Sequence, residues 1–172
     1  MIKTNIHTTR KLEKLAKKLI SKDCQGEASA LGKWNANLFY LERKKYWLVS
    51  NGLTRYNVVL ADIRAADHVN IDNIFLKTLY EQLVYDGVSI DLEKLAAFIG
   101  GLCFLPTDND RVVAGLQNQR LFELSVWMSY HDEHNTFFIN ESVNKMNDSP
   151  IQFGKGNGFT DSIAAMRSIL EK

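Results

Sequence analysis

Two of the chain's four histidines stand close together in His131-Asp132-Glu133-His134, its densest run of metal-type ligands. Histidines at i and i+3 on a helix end can face one ion, and a neighbouring carboxylate adds an oxygen ligand. His131, Asp132 and His134 are therefore a candidate metal set for a hydrolase or nuclease. The spacing is not the H-E-x-x-H of zincins, and only His7 and His68 remain as further imidazoles. The competing reading is a solvated helix terminus, where histidine suits the helix dipole. Gly154–Gly158, with Lys155, precedes Thr160 and has the outline of an anion cradle at a helix start. It lacks the Gly-Lys-Ser/Thr of a phosphate loop, and Asp161 would repel an anion, so a plain connection is the better reading. Cys103 follows the apolar stretch Ile99–Leu102 and reads as a buried, inert thiol, while Cys24 lies in a polar stretch. No histidine neighbours either one in sequence, and there is no Gly-x-Ser-x-Gly elbow. Lys11, Lys14 and Lys18 could follow a phosphate backbone with salt-sensitive, sequence-blind contacts; the competing reading is a solvated outer face.

These side chains need a scaffold, and composition bounds it. The chain has 172 residues, 45% hydrophobic and 24% charged, which suits one globular domain with an apolar core. Its 21 basic and 20 acidic residues argue against bulk nucleic-acid binding, which normally brings a clear basic excess. The charge is unevenly placed: 12 Lys/Arg against 4 Asp/Glu in residues 1–56, and 9 against 16 thereafter. A basic face could steer an anionic partner despite the balance. No apolar run approaches the roughly 20 residues of a membrane span, and the first residues show no apolar leader. Two cysteines make no disulfide framework, so the expected setting is the reducing cytoplasm.

Periodicity predicts the elements. Ile2–Ile6 reads as a strand. A helix runs from a cap at Thr8 or Thr9 to about Ile20, with Leu12, Leu15, Ala16 and Leu19 on one stripe. Residues 21–33 read as a loop. Strands follow at Ala36–Glu42, Tyr46–Ser50 and Arg55–Leu60, with the first turn near Lys44-Lys45. Asn51-Gly52 predicts a two-residue type I′ turn that sets Ser50 against Leu53, Val49 against Thr54 and Trp47 against Tyr56. Trp47, Val49, Tyr56, Val58 and Leu60 then share the buried face, and Tyr46, Leu48, Arg55 and Asn57 the half-covered one. Helices are expected from Asn70 to Gly87, from Ser89 or Asp91 to Gly100-Gly101, and from Val113 to about Tyr130. A late strand is expected at Thr136–Ile139, and a last helix is capped by Thr160.

The segment from Leu31 to Phe39 reads L-G-K-W-N-A-N-L-F, and Leu41, Arg43, Lys45, Leu48 and Asn51 follow it. Near the other end stands N-E-S-V-N-K-M-N-D, from Asn140 to Asp148. Together these resemble a bacterial domain-of-unknown-function family with an L-G-x-W-x-A-N-L strand, an R-x-K hairpin and a late S-V-x-x-M-N-D segment. The first match spans roughly residues 2–60; Glu141 stands where that family has Arg. The resemblance implies a fold and a bacterial cytoplasmic setting, and no reaction.

Trp34, Asn37 and Arg43, set against Asn140, Ser142, Asn147 and Asp148, are unusually polar for pure core packing, and buried Asn needs amide partners. They form a candidate ligand pocket if the two segments meet; otherwise Asn147-Asp148 makes a turn and Asn37 satisfies a strand end. The expected architecture is α+β: one domain over residues 1–172, a small antiparallel sheet packed against a helical layer. The expected function is a cytoplasmic binding or interaction module for a protein or small molecule. An accessory place in a mobile-element, defence or toxin–antitoxin system fits the habits of small bacterial proteins. The alternatives are the metal-dependent hydrolase or nuclease and the nucleic-acid binder named above. No cofactor and no membrane partner is expected, and oligomeric state is left open.

Overall fold

The structure, a computed structural model, describes residues 1–129, 139–154 and 158–172. In chain order it has β1 (Ile2–Thr8), α1 (Arg10–Leu15), β2 (Glu27–Ala28), β3 (Trp34–Leu41), β4 (Lys44–Asn51) and β5 (Asn57–Leu60). A 3-10 turn at Ala65–Asn70 leads into α2 (Ile71–Tyr85), α3 (Leu92–Ile99), β6 (Gly101–Leu105) and α4 (Arg111–Ser129). Then come α5 (Ile139–Asp148), β7 (Ile151–Gln152), β8 (Phe159–Thr160) and α6 (Ser162–Leu170).

The α+β class and the antiparallel β3–β4–β5 meander are as expected. The sheet is wider than its meander, because β1 and β6 add a parallel half. β6 pairs with Lys3–His7 of β1, while β2 and β3 pair with Ile2–Lys3 and Ile6–Thr8. The β6 register overlaps both of the others, so β6 takes one edge of β1 and β2 and β3 share the opposite edge. β1 is therefore interior, and its threonines are satisfied locally. Thr4 Oγ1 donates to the Ile99 carbonyl at 2.6 Å and Thr8 Oγ1 to the Leu105 carbonyl at 3.0 Å.

The two hairpins invert the expected turn chemistry. β3 turns into β4 at Glu42-Arg43, not at Lys44-Lys45, and both residues have positive φ, 46° and 67°. That is the backbone of a type I′ turn made without Asn or Gly. Asn51-Gly52 does not make one. Trp47 pairs with Leu60 rather than Tyr56, and Ser50 with Asn57, leaving a longer loop. Asn51 is buried and organises it: Oδ1 accepts from the N–H groups of Leu53 and Thr54 and from Thr54 Oγ1, and Nδ2 donates to the Leu31 carbonyl. An amide with that many partners inside the loop outweighs the turn preference of the dipeptide. The register moves by four residues, an even number, so every side chain keeps its face. Trp47, Val49, Tyr56, Val58 and Leu60 are indeed all buried.

That face, with Trp34, Ala36 and Leu38, carries the main core beneath α2, α3, α6 and the Leu12 and Ala16 side chains. The opposite face is covered too. Leu48 and Val59 pack with Leu124, Val143 and Met146 from α4 and α5, so the sheet lies between two helical layers rather than against one. Arg55 belongs to the loop, and Ile139 starts α5 rather than ending a strand; residues 136–138 lie outside the described residues.

The first helix stops at Leu15 instead of Ile20, because Ile20 is drawn into extended pairing with Phe104 and the Ser21 N–H donates to the Phe104 carbonyl. The chain thus runs along the free edge of β6 before reaching β2. This path brings Cys24 against Cys103, and the two are joined as a disulfide with Cα atoms 6.1 Å apart. Cys103 is therefore not an inert buried thiol: it sits half-buried on an edge strand whose neighbour carries the other cysteine. Gly100 lets α3 pass directly into β6. Its φ is +62°, and a Cβ there would lie 2.1 Å from the Ile2 carbonyl oxygen. Among the described residues no helix is long and apolar enough to cross a membrane.

Candidate functional site

The parallel half of the sheet ends in a cleft. β1 leads into Thr9, which caps α1 by accepting the Leu12 N–H on its Oγ1. β6 leads through Pro106 to Asp110, whose Oδ1 accepts the Val112 and Val113 N–H groups and caps α4. The starts of both helices and the ends of both strands border one cavity of about 380 Å³, lined by His7, Thr9, Arg10, Asn35, Asp108 and Arg111, with Gln117 deeper in.

Its two carboxylates are already engaged. Lys33 Nζ donates to Asp108 at 2.5 Å and to Asp110 at 2.9 Å, and Asn35 Nδ2 donates to Asp108 at 3.0 Å. Burial by itself pushes the Asp108 carboxyl up, but Lys33, the Asp110 N–H and Asn35 outweigh it and hold the group below the usual carboxylate range. The Lys33 hydrogen bond and the Val113 N–H hold Asp110 low as well. Burial alone would lower the Lys33 ammonium, yet the hydrogen bonds to Asp108 and Asp110 raise it above the ordinary lysine value. By contrast, Arg10 and Arg111 are exposed, and neither forms an ion pair among the described residues. His7 Nδ1 lies 2.9 Å from the Pro106 carbonyl. A carbonyl only accepts, so Nδ1 carries the proton and Nε2 is the basic nitrogen of the neutral ring.

The carboxylate–lysine cluster makes stability depend on pH in two directions. The depressed acids stabilise the fold above their ordinary values, and that contribution is lost as pH falls through the depressed ones. The raised lysine stabilises below its ordinary value and is lost as pH rises through the raised one. Lys33→Met is expected to cost about 1 kcal/mol at pH ~7, a figure already reduced for the half-exposed ammonium. The cost should shrink toward pH ~2, as the acids take up protons. Urea unfolding at the two pH values measures this; an equal cost at both would remove the ion pair as its cause.

A polar chain runs from the cleft into the core. Gln117 Nε2 donates to the Asn35 carbonyl at 2.8 Å and to Ser50 Oγ at 3.1 Å. Ser50 donates to Asn57 Oδ1, and Asn57 Nδ2 donates to Asn147 Oδ1. Asn147 Nδ2 donates to the Asn57 carbonyl and to Asp86. The buried Asp86 carboxylate also accepts from Tyr56 Oη at 2.5 Å, Gln82 Nε2 at 2.9 Å and Asn144 Nδ2 at 2.8 Å. Burial first, then the Asp86 charge, pushes the Tyr56 phenol far above its ordinary value, so it remains a donor. No Lys or Arg pairs with Asp86 among the described residues; four neutral donors replace a cation.

The geometry does not gather the motif residues of the two segments around one cavity. Trp34 is fully buried on the main core face, edge-on to Phe75 with ring centroids 5.3 Å apart. Asn37 points to the other face and accepts from Thr9 Oγ1 at 3.4 Å, which puts it beside the cleft. Arg43 stands exposed at the hairpin tip. Asn140 and Asp148 are exposed at the ends of α5, and Ser142 is buried on it. Asn147 reaches the sheet, but at Asn57 rather than Asn37. Lys11 and Lys14 lie exposed on α1, and Lys18 follows in the turn after it. His131, Asp132 and His134 lie outside the described residues, as do residues 155–157 of the glycine loop. Among the described residues no group of three or more His, Cys, Asp or Glu is arranged to hold a metal ion. Sequence reasoning missed His7, Arg10, Asn35 and Arg111 as neighbours. The one signal for them was the Pro106–Asp110 turn-and-cap cluster directly before a helix.

None of the curated proteins matches the chain. A family model, Domain of unknown function (DUF6933), matches residues 5–164, which takes in the cleft, the buried polar chain and both motif segments. The chain belongs to this DUF6933 family.

Proposed function

We propose that this protein is a binding module whose ligand seat is the cleft at the starts of α1 and α4, and that it takes a small anion, a carboxylate or a phosphate. One observation carries the reading. The cleft's own carboxylates are occupied by Lys33, while Arg10 and Arg111 border the same cavity without ion pairs among the described residues. Guanidinium groups bind carboxylate and phosphate through paired, charge-assisted hydrogen bonds. Thr9, Asn35 and Gln117 supply neutral polar surface between them. His7 Nε2 is one more nitrogen suited to an acidic proton of the ligand. Nothing in the arrangement requires the bound anion to react, and the reading is non-enzymatic.

Calorimetric titration with inorganic phosphate and with succinate tests it. Binding of at least one is expected, and the pair Arg10→Ala and Arg111→Ala should weaken it tenfold or more, roughly what one lost charged hydrogen bond gives. No binding by either anion, or binding indifferent to both substitutions, overturns it.

A further inference from the structure

Part of the basic excess of the first third of the chain gathers on α1 and the β3–β4 hairpin, which meet. Lys11 Nζ lies 4.9 Å from the centroid of the Tyr40 ring, and this contact joins α1 to the β3–β4 hairpin. Tyr40 is directly opposite Lys45 in the hairpin and shares its side, while Lys44, opposite Leu41, points to the other side. Lys14 follows Lys11 by one helical turn, and Lys18 lies in the turn after α1 ends. Arg43 occupies the hairpin tip. The two segments carry the six cations Lys11, Lys14, Lys18, Arg43, Lys44 and Lys45 and the acids Glu13 and Glu42, while the nearby Asp62 is held by Arg64. None of the six enters an ion pair among the described residues, although Lys33, Arg64, Lys77, Arg120, Lys145 and Arg167 all do.

Two further observations give the face a purpose beyond solvation. Tyr40 is 49% exposed, so a ring stands open between two groups of cations. The tip that presents Arg43 holds two successive non-glycine residues at positive φ, a conformation L side chains rarely adopt. That backbone is what a two-residue type I′ hairpin requires, and it holds Arg43 at the tip.

We propose that the joined face of α1 and the β3–β4 hairpin binds single-stranded nucleic acid. The lysines and Arg43 track the phosphates, and Tyr40 offers its ring to a base. Alternating cations with an exposed aromatic ring is the chemistry by which strands are held without regard to sequence. The near-neutral total charge is no obstacle, because α1 and the hairpin themselves carry few acids, Glu13 and Glu42, among their cations. The helix is too short, at six residues, to lay an apolar stripe into a bilayer, which sets a membrane surface behind a strand as the partner.

The experiment is fluorescence anisotropy with the full chain and a labelled oligodeoxythymidylate, at ~50 mM and ~200 mM salt. Binding is expected, with roughly fiftyfold weakening between those concentrations if about four phosphates are neutralised. Lys11→Glu with Lys14→Glu and Lys45→Glu should weaken it at least tenfold. Tyr40→Leu should weaken it while leaving the salt dependence unchanged. All of these side chains are at least partly exposed, and a retained thermal transition shows that the variants fold. Absence of binding at ~50 mM salt, indifference to the triple substitution, or displacement of the oligonucleotide by phosphatidylserine vesicles would each overturn the proposal. Arg111→Ala touches only the cleft, so this face stands or falls separately from the anion seat.

Discussion

Asn147→Ala is expected to lower the unfolding free energy by roughly 3–5 kcal/mol, read as a fall in the urea midpoint with little change in slope. The size follows from what the amide holds. Its Oδ1 accepts from the backbone N–H of Asn57 at 2.8 Å and from Asn57 Nδ2 at 3.1 Å. Its Nδ2 donates to the Asn57 carbonyl at 3.0 Å and to Asp86 at 3.1 Å. All four hydrogen-bonding positions of the side chain are used, and Asn147 is fully buried. Truncation leaves the Asn57 N–H and carbonyl without partners in an interior that water reaches poorly, each costing about 1–3 kcal/mol before relaxation, while Asp86 keeps Tyr56 and Asn57 Nδ2 keeps the Arg55 carbonyl. Asn144→Ala is the control. It also donates to Asp86, but it is half-buried and water can replace it, so about 1 kcal/mol is expected. Equal costs for the two would show that burial of the chain from Ser50 to Asp86 is not what gives Asn147 its weight.

The second large effect belongs to Trp34. Trp34→Ala should cost roughly 3–5 kcal/mol, because it empties a fully buried site edge-on to Phe75. Trp34→Phe separates packing from polarity. The indole Nε1 is buried with no hydrogen-bond partner among the described residues, so phenylalanine loses volume but no bond, and about 1–2 kcal/mol is expected. The ring lies on the face away from the cleft, so anion binding by the Phe variant should match the wild type. Loss of binding at full stability would return Trp34 to the site.

Periodicity made the helices over 71–85 and 92–99 legible, along with the strand after Trp34 and the inward aromatic side of Trp47 and Tyr56. Each of those signals is local. The elements that escaped have distant causes. Gly101–Leu105 is a short apolar run behind a helix, and only the β1 edge, nearly a hundred residues earlier, makes it a strand. Glu42-Arg43 carries no turn residue, so the eight paired positions on either side must impose the turn. Asn51-Gly52 carries the strongest turn signal in the chain and yields to the partners of a buried amide. The cleft was least legible of all. Residues 7–10, residue 35 and residues 107–111 come from three separate segments, and only the parallel pairing of β1 with β3 and β6 brings them together. Asn147 was noticed as an amide in need of partners, and it found them two strands further on than expected, on β5 instead of β3.

The interior position of β1 bears on how the protein is born. Its residues are made well before residues 101–105, with which one of its edges pairs. At roughly 5–20 residues per second, that edge waits on the order of 5–20 s for its mate. During this interval a nascent strand shows bare amides and carbonyls to its surroundings, the kind of template that recruits foreign strands. Lys3 lies on that waiting edge, and a lysine there is a common guard against such pairing.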